Sequence, residues 1–274
     1  MVKNTLVFLL ISMLPDGHQM IAQSYWPDGQ RAAICLTYDD GFDNHLDIVA
    51  NQLDSFGMKG TFFVPGHTSC LKDRINDWRK VAESGHELGN HTLFHPCDWL
   101  SIGMGRPYGH GDLSQYSFEQ LMMELETANT LLKAVDGKDK RTFAYTCGQF
   151  HVENFDFSDS LGQLFSAARA AGPIPENMTG FNVYKTSSWC VPEHTTAEKL
   201  ISFAKEARGK GTIAIYMFHS VGGKPGFGWF NVESSEHLKL LEYLKENAED
   251  YYCATFKDIM DYISNKQKNH NKEF

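Results

Sequence analysis

The sequence predicts a single domain folded as a closed or nearly closed parallel (β/α) barrel. Short apolar runs alternate with longer segments of helical period, which is the pattern of successive βα units and therefore of a parallel sheet. Seven such units can be counted, and seven or eight in one domain favour a barrel over an open sheet. The chain has 274 residues, 42% hydrophobic and 22% charged, which is enough for one large domain with a substantial core.

The predicted strands are short apolar runs bounded by polar residues or glycine. They lie at 32–38, 61–64, 87–90, 142–145, 181–184, 212–218 and 252–255. The predicted helices lie between them, near 45–56, 73–84, 117–135, 160–171, 196–208, 234–248 and 256–264. Ser117 with Gln120, and Thr195 with Glu198, have the spacing of capping boxes. Segment 96–116 is rich in glycine and proline without a period, which predicts a loop over one mouth of the barrel.

The amino-terminal end predicts a signal peptide over residues 1–22. Lys3 is followed by the apolar stretch "TLVFLLISML", a polar break and the small residue Ala22, and the stretch is too short to span a bilayer. We therefore expect export to the periplasm or the outside, with no membrane span after removal of the signal. The barrel domain is expected over 23–265, followed by a polar tail over 266–274.

The net charge restricts the classes of binding partner, and the cysteine spacing bears on whether disulfides form. The net charge of −9 argues against nucleic acid or anionic polymers as partners. Six cysteines could pair after export, but their spacings are wide and no C-x-x-C pair occurs, so buried free thiols are the simpler expectation, above all for Cys35.

Candidate functional residues follow five of the seven predicted strands. In a parallel barrel, functional groups gather at the carboxyl ends of the strands, so these side chains are expected on one rim. In chain order they are Asp39, Asp40, His91, His95, Cys147, Gly148, Trp189 and His219.

The stretch "HTLFH", residues 91–95, is a candidate metal site. Two imidazoles and one carboxylate are a common ligand set for a hydrolytic zinc, and Asp40 is the candidate third ligand. A cation there would offset one charge of the adjacent carboxylates and leave Asp39 as a base. The zincin motif is excluded because Thr92 stands where that motif needs a glutamate.

His219 follows "TIAIYMF", an apolar run typical of a strand buried on both faces. A core histidine bonded to a backbone carbonyl is one interpretation. Because the glycine-rich "SVGGKPGFG" follows at once, a position at the barrel mouth and a role as general acid are the alternative.

These motifs resemble those of the polysaccharide deacetylases of carbohydrate esterase family 4. "TYDDG" is similar to that family's T-F-D-D-G, "HTLFH" fits H-[ST]-x-x-[HD], and "MFH" is similar to L-x-H. The resemblance runs over about 31–260 and implies a distorted (β/α)7 barrel in one domain. It also implies roles for five residues: Asp39 as base, Asp40, His91 and His95 as ligands of a divalent metal, most simply Zn²⁺, and His219 as general acid.

Two further motifs depart from the family pattern. "TFAYTCG", residues 142–148, aligns with T-F-R-P-P-Y-G and has Ala144 in place of the arginine that orients the base. Cys147 replaces the tyrosine whose backbone N–H serves the oxyanion hole, and can still supply that N–H. Arg141 is not expected to replace the missing arginine, because an offset of three residues along a strand changes both height and face.

The fourth motif, "TSSWC", has Ser188 where the family has the aspartate that tunes the acidic histidine. Trp189 remains as a candidate wall for the acyl methyl group, and Tyr145 is expected to contact substrate as well. The joint loss of the arginine and the aspartate is consistent with a variant network rather than a broken one.

The resemblance implies a metal-dependent hydrolase that removes acetyl groups from an acetylated polysaccharide or oligosaccharide. N-acetyl and O-acetyl substrates both remain open. Ala144 and Ser188 motivate an alternative, a non-catalytic carbohydrate-binding protein on a decayed deacetylase scaffold. A thiol hydrolase using Cys147 is disfavoured, since no charged partner can be read from the sequence, and no G-x-S-x-G motif of a serine hydrolase occurs.

Overall fold

The computed structural model describes residues 24–103, 111–223 and 230–270. Its strands are β1 Ala32–Asp39, β2 Thr61–Val64, β3 Glu87–Asn90, β4 Phe143–Ala144, β5 His151–Val152, β6 Phe155–Asp156, β7 Ala168–Arg169, β8 Trp189–Cys190, β9 Ile213–Phe218 and β10 Tyr251–Cys253. The main sheet has the order β7-β4-β3-β2-β1-β9-β8, β10 pairs with β1 as well, and all these pairs are parallel. β5 and β6 form a separate antiparallel pair.

The α-helices alternate with most of these strands. They are α1 Ala50–Ser55, α2 Ser69–Asp73, α3 Ile75–Glu83, α4 Phe118–Asp136, α5 Ala197–Lys210, α6 Ser234–Glu246 and α7 Phe256–His270. A π-helical turn, His45–Val49, leads directly into α1. Shorter 3₁₀ turns lie at Pro27–Gly29, Leu113–Gln115, Thr146–Gly148 and Phe157–Gln163.

Backbone hydrogen bonds join the two ends of the curled sheet. Arg169 forms a parallel bridge with Thr186. The N–H of Ala170 donates to the carbonyl of Thr186 at 2.8 Å, and the N–H of Gly172 donates to that of Ser188 at 2.9 Å. These bonds connect β7 to the segment that leads into β8. The predicted single-domain, distorted (β/α)7 barrel is confirmed.

Strand β1 is buried along its whole length because both of its faces are covered. Ile34, Leu36 and Tyr38 pack in one core cluster, whereas Ala33 and Cys35 pack in another. Continuous apolar runs of this kind are typical of parallel strands covered on both sides. Cys35 is a buried free thiol, as predicted, and burial raises its pKa well above the ordinary value.

Two of the predicted elements are wrong. Segment 160–171 is not a helix, since the 3₁₀ turn ends at Gln163 and strand β7 follows at Ala168–Arg169. Alanine favours helix, but here 167–170 are buried in the sheet, so tertiary burial overrides local propensity. Segment 181–184 forms no strand in the structure, and the strand near it is β8, Trp189–Cys190.

The carboxyl-terminal helix α7 ends at His270, six residues beyond its predicted end. Residues 266–270 of the predicted tail therefore belong to this helix. The predicted signal peptide, 1–22, and residues 271–274 lie outside the described residues. Within the described ranges, no helix combines the length and apolar character needed to cross a bilayer.

Candidate active site

A cavity of about 550 Å³ opens at the carboxyl ends of the strands. It brings together seven of the eight residues predicted to have functional roles: Asp39, Asp40, His91, His95, Tyr145, Cys147 and His219. Apolar side chains make up most of the remaining wall, among them Phe94, Trp99, Ile102, Met217 and Phe230. The rim convergence expected from the strand order is therefore observed.

The two adjacent aspartates take different positions because the chain turns sharply between them. Asp39 ends β1 and is 2% exposed, whereas Asp40 has a left-handed backbone with φ of 75° and lies further out. Gly41 continues the turn at φ of 61°, and a Cβ there would lie 2.9 Å from Cγ1 of Val64. Glycine is required at this position, since both the backbone angle and the close approach to β2 disfavour a side chain.

Asp40, His91 and His95 converge on one point. Oδ1 of Asp40 lies 3.6 Å from Nε2 of His91 and 3.4 Å from Nε2 of His95. One ligand atom from each of the three residues lies within 4.8 Å of the other two. Tetrahedral zinc with ligands at about 2.0–2.1 Å separates its ligand atoms by roughly 3.4 Å, so the spacing to Asp40 suits such an ion.

The surroundings prepare these three groups to be ligands. Nδ1 of His91 donates to the carbonyl of Ala144 at 2.9 Å, which directs the lone pair of Nε2 towards Asp40. Burial lowers the pKa of His95 to about 4, so that imidazole is neutral near pH 7. Burial alone would raise the pKa of Asp40, but the nearby imidazoles of His91, His95 and His219 lower it well below its usual value. A carboxylate and two neutral imidazoles are the protonation states that metal binding needs.

Asp39 is held by an arginine that the sequence analysis did not identify. Nη2 of Arg169 donates to Oδ2 of Asp39 at 2.5 Å, and both side chains are buried. Oδ1 of Asp39 is buried and has no hydrogen-bond partner among the described residues. The guanidinium therefore fixes the carboxylate through one oxygen and leaves the other free to accept a proton.

Strand register explains how Arg169 takes the place of the missing motif arginine. Ala144 of β4 pairs with Arg169 of β7, so the two positions are neighbours on adjacent strands at the same height. The arginine reaches the base from the next strand. Sequence reasoning missed it because "SAARAAG" looks like a helix, yet a lone arginine within a run of small residues was a usable signal for a buried cation.

Ser188 belongs to the same network. Nη1 of Arg169 donates to Oγ of Ser188 at 2.9 Å, and this hydroxyl donates to the carbonyl of Ala170 at 2.6 Å. A neutral hydroxyl can both accept from the arginine and donate to the carbonyl, whereas an ionised aspartate can only accept. The changes at Ala144 and Ser188 therefore form one variant network around Arg169.

Cys147 is joined to Cys97 by a disulfide across 50 residues of sequence. The thiol-hydrolase alternative is wrong for Cys147, since a sulfur in a disulfide is not a nucleophilic thiolate, and the expectation of free thiols is wrong for this pair. Cys147 itself has a left-handed backbone with φ of 52°. The bond ties the segment after β4 to the loop that follows the histidine ligands.

Trp189 lies away from the cavity, contrary to its expected role as a wall for the acyl group. Its ring packs against Phe203 at 4.7 Å and Tyr216 at 6.1 Å between ring centres, within the core under α5. Successive residues of a strand point to opposite faces, and here Cys190 is the one that lines the cavity. Tyr145 does line the cavity, but its hydroxyl donates to the carbonyl of Tyr184 at 2.8 Å.

His219 follows β9 at the edge of the cavity. Its ring lies 5.3 Å from the ring of Phe230, and its Nδ1 is buried without a hydrogen-bond partner among the described residues. Ser188 therefore does not replace the aspartate that tunes this histidine in the family pattern, because its hydroxyl is directed to Ala170.

The comparisons with known proteins agree with this architecture. The family model of the polysaccharide deacetylases matches residues 27–164, just over half of the chain. A gellan lyase from Bacillus sp is 28% identical over 177 residues, which is 65% of this chain and 6% of that protein. The peptidoglycan-N-acetylmuramic acid deacetylase PdaA of Bacillus subtilis is 28% identical over 120 residues, 43% of this chain and 39% of PdaA.

Among solved structures, one assigned to the polysaccharide deacetylases in Mycobacterium smegmatis superposes with a TM-score of 0.61 at 17% identity, covering 90% of this chain and 94% of that one. This likeness concerns the fold. The chain spans less than half the length of the two sequence relatives. The family model, the ordered motifs and the barrel lead to the same conclusion: the chain belongs to the polysaccharide deacetylase family, carbohydrate esterase family 4.

Proposed function

We propose that this protein is a metal-dependent hydrolase that removes acetyl groups from a carbohydrate. The observation that carries the proposal is the convergence of Asp40, His91 and His95 beside the buried carboxylate of Asp39, one oxygen of which has no partner in the part of the chain that the structure describes. Family membership and the name of the relative PdaA, a peptidoglycan deacetylase, support an acetylated glycan as the substrate class.

The metal is proposed from the donor set. Two imidazoles and one carboxylate with the spacing described above suit a divalent ion, most simply Zn²⁺, and leave a fourth position open. When bound, such an ion supplies Lewis acidity for the acyl carbonyl and lowers the pKa of a water molecule. Asp40, His91 and His95 would hold it.

The remaining chemistry is assigned to groups of this chain. Asp39 would accept the proton of the attacking water at its free Oδ1, while Arg169 keeps that carboxylate oriented. The backbone N–H of Cys147 would donate to the developing oxyanion. His219 would donate a proton to the leaving nitrogen or oxygen.

The bond that is cleaved is either an amide or an ester. An amide nitrogen must be protonated before it leaves, whereas an ester oxygen makes a smaller demand on the acid. Because Nδ1 of His219 has no hydrogen-bond partner among the described residues, O-acetylated sugars stay in the proposal beside N-acetylated ones. Export is proposed with the function, from the predicted signal peptide and a glycan substrate outside the cell.

The alternative of a non-catalytic binding protein on a decayed scaffold is not favoured. Its motivation was the loss of the arginine at Ala144 and of the aspartate at Ser188. Arg169 now accounts for the first loss, because it forms the ion pair with Asp39 that the base requires.

Acetate release from N- and O-acetylated glycans, with and without added Zn²⁺ after chelator treatment, tests the proposal. We expect metal-dependent release that falls by 10²- to 10⁴-fold in Asp39→Ala, because the general base is lost. Asp159→Ala, at an exposed aspartate, is the matched control and should keep wild-type activity. Activity that survives chelation, or equal activity in the two variants, would contradict the metal or the base, respectively. Absence of acetate release from every glycan would favour the binding protein.

A further inference from the structure

We infer that His45 is a positioning residue for His219, an inference that rests on the proposed function of His219 as the general acid. Nε2 of His45 lies 2.6 Å from the backbone carbonyl oxygen of His219. His45 is fully buried and lies outside the groups assigned above. It begins the π-helical turn that leads into α1, five residues after the proposed metal ligand Asp40.

The protonation state of His45 follows from this contact. A carbonyl oxygen only accepts, so Nε2 must carry the proton and donate. Burial lowers the pKa of His45 to about 4, which keeps the ring neutral near pH 7. Its Nδ1 is buried without a partner among the described residues. A buried polar nitrogen left unpaired is costly, so the bond to His219 is the polar interaction for which this histidine is placed.

The ring of His45 has little freedom to move. Tyr38, Phe42 and Phe62 surround it with ring centres 5.7–5.8 Å away. Tyr38 and Phe62 are fully buried core residues. A donor fixed by rigid aromatic walls holds its acceptor at a set place, which is what a positioning role requires.

Ser220, the residue after His219, is bonded to the same segment as His219, through Asn44. Nδ2 of Asn44 donates to Oγ of Ser220 at 2.7 Å, and that hydroxyl donates to Oδ1 of Asn231 at 2.8 Å. The carbonyl of Ser220 accepts from the N–H of Val232 at 2.9 Å. Asn44 and His45 thus fasten two successive residues after β9 to the turn that carries Asp39 and Asp40.

The backbone contact from His45 matters because few interactions hold the ring of His219 itself in place. Its Nδ1 has no partner among the described residues, so hydrogen bonding does not fix the ring from that side. The orientation of the ring then depends on the backbone of His219 and on the neighbouring Phe230. One segment of chain would set the relative positions of base, metal ligand and acid.

The test uses substrates that differ in their need for an acid. An acetylated glycan has a poor leaving group that must be protonated, whereas 4-nitrophenyl acetate releases a stable anion. In His45→Met, which removes the donor, we expect the ratio of kcat on the glycan to kcat on the aryl ester to fall about 10- to 100-fold. His45→Gln places an amide N–H near the position of Nε2 and should restore most of that ratio.

Double variants separate positioning from general damage. His45→Met in a His219→Ala background should cause no further fall in the ratio, because the acid to be positioned is gone. Equal losses on both substrates, or additive losses in the double variant, would overturn the inference in favour of a structural role. If His45→Met does not fold, His45→Asn replaces it, since the shorter amide lies near the Nδ1 position and does not reach the carbonyl.

An NMR measurement tests the positioning role of His45 independently of the proposed enzymatic activity. The imidazole NMR signals of His219, assigned with His219→Ala, should shift in His45→Met and return towards wild type in His45→Gln. Unmoved signals would overturn the positioning role, whatever the activity. Failure of wild-type protein to release acetate would instead count against the proposed function, while the NMR result would still decide the role of His45.

Discussion

Two buried arginines at opposite ends of the barrel pair with aspartates whose side chains are buried, and the two pairs differ in how many carboxylate oxygens are hydrogen-bonded. Arg141, before β4, donates to both carboxylate oxygens of Asp136 at 2.8 and 3.0 Å, and to the carbonyls of Leu88 and Lys138. Arg169, on β7, donates to one oxygen of Asp39 and to Ser188.

The difference separates a structural ion pair from a proposed catalytic one. At the amino end of the barrel, both oxygens of the Asp136 carboxylate are bonded, and the side chain of Asp136 has no solvent exposure. At the carboxyl end, Oδ1 of Asp39 lies beside the cavity and has no hydrogen-bond partner within residues 24–103, 111–223 and 230–270. Full satisfaction stabilises a fold, whereas an unpaired acceptor held rigidly is available for proton transfer.

Substitution of each arginine should separate the structural role of the Arg141–Asp136 pair from the proposed catalytic role of the Arg169–Asp39 pair. These substitutions have the largest effects that we predict. Arg141→Met leaves the Asp136 carboxylate buried without its cation, and we expect a loss of about 3–5 kcal/mol in the free energy of unfolding. Activity per folded molecule should stay near wild type, because Arg141 lies away from the cavity. Urea unfolding and acetate release measure the two quantities.

Arg169→Lys is the matched change at the other end. Lysine keeps the charge but lacks the fork that reaches both Asp39 and Ser188, so we expect activity to fall about 10- to 100-fold. The comparison fails if Arg141→Met reduces activity per folded molecule as much as Arg169→Lys does.

The Cys97–Cys147 disulfide adds to the comparison of the two barrel ends, because it is a covalent link at the end that carries the cavity. In Cys97→Ser/Cys147→Ser, closure of a loop of about 50 residues is no longer restricted in the unfolded chain, which predicts a loss of up to about 4 kcal/mol. Urea unfolding with and without a thiol reductant measures it.

The control for this experiment is Cys253→Ser, at a free cysteine. This variant should retain the reductant-dependent loss of stability, whereas the double variant should have none. A wild-type unfolding curve that does not change on reduction would contradict a stabilising role for the bond.

Much of this organisation could be predicted from the sequence, and the exceptions have physical causes. The predicted bounds of β2 and β3 match the observed ones, and for β2 the local signal is the apolar run "TFFV" directly after Gly60. The convergence of Asp40, His91 and His95 followed from strand ends alone. Arg169 and the disulfide depend on which distant strands and loops become neighbours, and no local period reports that. The prediction that Trp189 lines the cavity is wrong for a related reason, since a shift of one residue along a strand moves a side chain to the opposite face of the sheet.

The smallest predicted effect concerns pH at the amino end of the barrel. Nδ1 of His86 accepts the N–H of Gly60 at 3.0 Å, so the ring must keep a lone pair there. Burial lowers the pKa of His86 from 6.5 to about 4. Between these values the unfolded chain binds more protons than the folded one, so the stability that His86 contributes is complete above pH 6.5 and is lost as the pH falls towards 4.

We expect His86 to contribute a slope of up to about 1.4 kcal/mol per pH unit over this interval. His86→Asn keeps an acceptor near the Nδ1 position without a titrating ring, so its free energy of unfolding should fall less steeply between pH 6.5 and 4. Urea unfolding in the presence of a chelator measures this slope without a contribution from metal binding. His194→Asn, at an exposed histidine, should match the wild-type slope. Equal slopes in wild type and His86→Asn would mean that the amino end of the barrel accommodates the charge, because protonation there would then cost the fold nothing.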